Sequence, residues 1–173
     1  MQVLSPSSIQ APVSFLEKTP GILEILLRET SPELLHWKPA PERWSIAEVL
    51  AHVAEIERLY EQRAKKIIMD DNPTLTRYVP PDNSGMSRPA PREHFQEFVA
   101  LRRAFTIFLR SIPVASGSRT GIHPEMGAIT LSQMLHELAN HDLGHLRQIA
   151  ELYRAHSFYP HAGPFQRYSN PKP

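Results

Sequence analysis

LSQMLHELANHDLGHLRQIAEL, residues 131–152, has the apolar spacing of a bundle helix, but histidines interrupt its buried seam. With Leu131 as heptad position a, the a series is Leu131, Leu138, His145 and Leu152, and the d series is Met134, His141 and Gln148. Residues four apart lie about one turn apart on one helix face, so His141 and His145 can reach a single point. Neutral imidazoles in an apolar seam need partners for their ring nitrogens, and a divalent metal would satisfy both at once.

A third seam histidine stands elsewhere in the chain. Ser45-Ile46-Ala47-Glu48 has the pattern of a capping box, with Trp44 and Val49 at the hydrophobic-staple positions, so a helix starts at Ser45 and should end near Asp70. Its seam reads Val49, His52, Val53, Ile56, Leu59, Tyr60, Ile67. Thr130-Leu131-Ser132-Gln133 is a second capping box, stapled by Ile129 and Met134, and launches the 131–152 helix. If the two helices run antiparallel, His52 comes level with His141 and His145.

Three imidazoles with an open fourth position suit a catalytic zinc-like site, and imidazole also suits nickel or iron. The plainer alternative makes each one a core histidine bonded to a neighbour. His136-Glu137 followed by His141 is one residue too long for H-E-x-x-H, and about 140° of helix separates those histidines. Around the trio, Glu55, Asn140, Asp142 and Gln148 are candidates to hold the rings. Arg147 is a candidate for a substrate carboxylate. Glu55, Arg147 and Gln148 are therefore the candidate catalytic residues. No G-x-S-x-G or phosphate-cradling glycine loop supports other catalytic classes.

Punctuation supplies the remaining elements. Seventeen prolines against seven glycines, in 173 residues, fall between apolar periodic segments. Residues 1–11 are polar and read as irregular. Val13–Glu29 is helical, with Thr19-Pro20 marking a restart or a kink. Ser31-Pro32-Glu33 opens a short helical turn. Residues 71–92 form a connection of about 20 residues, long enough to suggest function or mobility. Arg92–Ser111 is a third amphipathic helix, 119–129 a small hairpin or irregular turn, and 158–173 a Pro-rich tail that wraps the bundle or packs on a partner. These make one domain over 1–173: an all-α, antiparallel four-helix bundle at about 13–156, with a long crossover between the second and third helices.

Composition removes other classes. A net charge of +1 offers no basic surface for nucleic acid, and no stretch has the roughly 18 apolar residues of a membrane span. Without cysteine there is no thiolate metal site, so any thiol must be exogenous. No signal peptide is read at the N-terminus, and a cytoplasmic protein is expected.

The stretches Trp37-Lys38-Pro39 through Trp44–Val53, and Gly121–Gly127 through His141–Ile149, resemble the DinB-like (DinB/YfiT-type) superfamily. That resemblance implies a four-helix bundle holding a divalent metal, zinc or nickel before iron, on His52, His141 and His145. It also implies homodimers and a small-molecule substrate, with some relatives acting as thiol S-transferases or as a mycothiol-using isomerase. After the last histidine this chain has Leu146-Arg147-Gln148, where common relatives carry Arg-Gly-Gln. The expected activity is transfer of a small thiol activated at the three-histidine metal. A metal-dependent hydrolase, or a non-enzymatic helical interaction or stress-response module, is the alternative.

Overall fold

The computed structural model describes residues 8–80, 90–168 and 170–171. Expectations for residues 1–7, for 81–89 of the crossover and for the end of the tail lie outside these. Six helices occur among them: α1 (Gln10–Leu16), α2 (Thr19–Leu27), α3 (Pro32–His36), α4 (Ile46–Met69), α5 (Pro91–Ser111) and α6 (Leu131–Tyr153). A hairpin of β1 (Thr120–His123) and β2 (Gly127–Thr130) precedes α6. None of the helices is long and apolar enough to cross a membrane.

Local chemistry accounts for the helix ends. Ser45 and Thr130 form both expected capping boxes, with Glu48 and Gln133 returning bonds to the cap amides. Ser31 caps α3 from its side chain. Pro20 sits in the first turn of α2, where its missing N–H costs nothing, so the first helix breaks after Leu16 and restarts at Thr19. Helix begins at Gln10, inside the stretch expected to be irregular. The 119–129 segment resolves as the hairpin, with Gly127 at φ 74° closing its turn.

Two apolar clusters fix the directions of the helices. The N-terminal half of α4 (Ile46, Val49, Leu50, Val53) packs with Leu23, with Phe98 of α5 and with Leu146, Ile149 and Leu152 of α6. Its C-terminal half (Ile56, Ala64, Ile67) packs with Val13, with Phe105 and Leu109, and with Leu131, Leu135 and Leu138. So α4 and α5 run the same way, while α6 and the α1–α2 pair run opposite to them. The expected four-helix bundle and its long crossover are present, but the neighbouring α4 and α5 run parallel where an antiparallel arrangement was expected, because the crossover takes the chain back along about 36 Å of α4 before α5 starts.

The crossover is tied down where it leaves α4. Leu75 is buried, its amide and that of Ile122 exchange bonds with the carbonyls of Ile122 and Pro73 (2.8 and 2.7 Å), and Arg63 clamps the Thr76 carbonyl at 2.6 Å. Beyond α6 the tail is a π-helical turn (Arg154–Phe158) and short 3-10 turns, leaving Phe158, Phe165 and Tyr168 exposed.

Candidate metal centre

Because α4 and α6 are antiparallel, His52, His141 and His145 meet near mid-bundle. His52 Nε2 lies 3.0 Å from His141 Nε2, which lies 3.1 Å from His145 Nε2. One ligand atom from each falls within 4.8 Å of the others, and among the described residues no further Asp, Glu or His joins the group. All three side chains are half-buried.

The partners outside the cluster decide the tautomers. Gln148 Oε1 lies 3.0 Å from His145 Nδ1 and can only accept, so that nitrogen carries the proton and Nε2 turns a lone pair inward. Tyr78 donates its hydroxyl to Glu55 Oε2 at 3.3 Å, and its oxygen is left to accept from His52 Nδ1 at 3.4 Å. His52 therefore also presents a bare Nε2. Among the described residues the buried Nδ1 of His141 has no hydrogen-bond partner.

Burial, with the neighbouring imidazoles second, lowers the pKa of His52 to about 4. Burial, His145 and Arg102 do the same for His141, to about 4. Burial also lowers His145, opposed by Gln148 and Asp142. The trio is neutral at pH 7. His52 and His145 turn Nε2 lone pairs inward, and His141 Nε2 lies within 3.1 Å of both, a neutral-imidazole donor set suited to a divalent cation. The residues fit a metal.

Aromatic rings wall the centre. Trp44 lies parallel to His145 (2°, centroids 6.0 Å apart) and edge-on to His52 at 4.9 Å. At 39% exposure it flanks the centre from the solvent side. Tyr78 meets His52 edge-on from the crossover.

Of the sequence candidates, Gln148 touches the centre directly and Glu55 acts through Tyr78. Asn140 turns to Glu137 and Asp142 to Arg102. Arg147 is exposed, about 200° round α6 from His145, and so does not join the centre. Sequence reasoning overlooked Tyr78 and an ionic core beside the histidines. Arg102 (1% exposed) bridges Glu57 (0%) and Asp142 (2%) with bonds of 2.7 Å, and also bonds the Leu16 carbonyl. A signal existed: Arg102 falls on the Phe98–Phe105 stripe, and Glu57 four residues after Val53, so each puts a charge at a core position.

The match to the DinB superfamily runs over residues 16–149, from α1 through both histidine helices. The chain belongs to that superfamily. YuaE, an uncharacterized protein of Bacillus subtilis (strain 168), is 26% identical over 141 residues, 73% of this chain and 87% of YuaE. Among solved structures, this DinB-superfamily chain shares its fold with YfiT from Bacillus subtilis at TM-score 0.76 and 20% identity, over 90% of this chain and 91% of that one. YfiT is described as a probable metal-dependent hydrolase with an unusual four-helix bundle topology.

Proposed function

We propose that this protein is a divalent-metal-dependent enzyme, with the ion held by His52, His141 and His145, that directs an activated nucleophile onto a small-molecule electrophile. The observation that carries this is the three-imidazole donor set with no fourth protein ligand among the described residues. Structural zinc sites usually close the fourth position, and catalytic ones leave it open. When bound, the ion would lower the pKa of water or a small thiol, giving the nucleophilic anion near neutral pH. Zinc leads and nickel follows. Gln148 and Tyr78 hold the ligand rings, Tyr78 and Glu55 can pass a proton at the phenol oxygen, and Trp44 presents an aromatic wall to the substrate.

Water is the leading nucleophile, supported by the description of YfiT, whose fold this chain shares. Thiol S-transfer is the second reading. The thiol would be supplied from solution, since the chain has no cysteine. Homodimerisation through the exposed tail aromatics and a cytoplasmic location belong to the same proposal.

The test is metal content by mass spectrometry for wild type and His141→Ala, followed by turnover assays with ester, amide and alkylating substrates, with and without added thiol. About one equivalent of metal in wild type only, with thiol-independent turnover, supports the hydrolase. Strict thiol dependence supports S-transfer. No metal uptake after incubation with zinc or nickel overturns both and leaves the helical interaction module.

A further inference from the structure

A groove of about 500 Å³ opens between α2 and α5, floored by α3 and α4, and shares no lining residue with the histidine cluster. Its floor is Leu35 and Leu50, and its walls include Leu27, Phe95 and Val99. Gly21 of α2 lines the groove without a side chain, and an added Cβ there would meet nothing within 4 Å.

Topology polarises this groove. Since α2 and α5 are antiparallel, the end of α2 and the start of α5 lie at the same mouth. That brings together Arg28, just past the last residue of α2, and Arg92, second in α5, beside the positive end of the α5 dipole. Both arginines are exposed and line the groove. Among the described residues neither forms an ion pair, and Glu24, one turn before Arg28, leaves the mouth net positive. The far end, about 12 Å along α2, is Pro20, Gly21 and Val99, with no charge. Its volume is in the range of small-molecule sites.

We propose that this groove binds a medium-chain carboxylate, with its head at Arg28 and Arg92 and its apolar chain lying over Leu35 and Leu50 toward Gly21. An anionic head fits one end only, and a second charge at the other end would face apolar atoms. The site is separate from the metal centre and does not depend on it.

Calorimetric titration of the full chain with decanoate, kept below its micellar concentration, tests this. One saturable site is expected, weakened roughly tenfold by Arg28→Gln with Arg92→Gln. Decanol, lacking the charge, should bind similarly weakly to wild type. Gly21→Leu fills the groove and should abolish binding. It meets open space and a better helix former replaces glycine, so its Tm should hold or rise. Metal content, measured on every variant, should not change, so a failure here is distinguishable from a failure of the metal reading. No saturable binding, binding undiminished in Gly21→Leu, or decanol binding as tightly as decanoate would overturn the proposal. So would dimers of wild type that Gly21→Leu splits, because the occupant would then be a second copy.

Discussion

Arg102 of α5 donates to Asp142 of α6 at 2.7 Å, and Asp142 is the residue next to His141. The same guanidinium holds Glu57 of α4 and the carbonyl of Leu16, so one buried cation ties the two histidine helices and α1 together. Burial works against its charge, but the two carboxylates hold its pKa above the ordinary arginine value. The histidine centre is thus built against an ionic core.

Removing that cation should be severe. Arg102→Met leaves Glu57 and Asp142 buried without their partner and should cost about 3–5 kcal/mol in urea unfolding. Replacing the three residues together by apolar side chains of similar volume should recover most of that loss. A triple variant as unstable as the single one would show that the network has no apolar substitute.

The histidines should make stability fall in mild acid. His52 and His141 titrate at about 4 in the folded chain, against an unperturbed value of 6.5. Between those values the unfolded chain binds more protons, so their contribution is complete above pH 6.5 and is lost as the pH falls toward 4. The urea midpoint of metal-free protein should decline over that window, and His52→Gln with His141→Gln should flatten the decline. An unchanged slope in the double variant would place the titration elsewhere.

The groups behind the rings should matter for metal affinity. Gln148→Leu removes the acceptor that orients His145 and should weaken zinc binding about 10- to 100-fold in chelator competition. Tyr78→Phe should act in the same direction through His52 and less strongly, since its contact is longer. Equal affinities for wild type and Gln148→Leu would remove Gln148 from the centre.

Gly121 bears on the position of Tyr78. A Cβ there would lie 2.9 Å from Leu75 Cδ2 and 3.0 Å from Ile67 Cγ1, both on buried side chains. Gly121→Ala should cost about 1–3 kcal/mol by overpacking, and should weaken metal binding by shifting the strap that carries Tyr78. Thermal unfolding and chelator competition on the same variant check both effects, and a loss of stability alone would mean that the strap does not set His52.

The helices, their caps and the three histidines were legible in the chain because each depends on short-range pattern. Ser45 and Glu48 are three residues apart, His141 and His145 four, and the apolar seams repeat on the helical period. The four-helix bundle follows from those faces and from the length of the connection after α4. Only tertiary packing determined that α4 and α5 run parallel, that Tyr78 returns from the crossover to His52, and that Trp44 lies parallel to His145. It also turned Asp142 to Arg102 and left Arg147 in solvent. These contacts join residues 26 to 101 positions apart, and local periodicity carries no information about which distant side chain will fill a ring's remaining hydrogen bond or neutralise a buried charge.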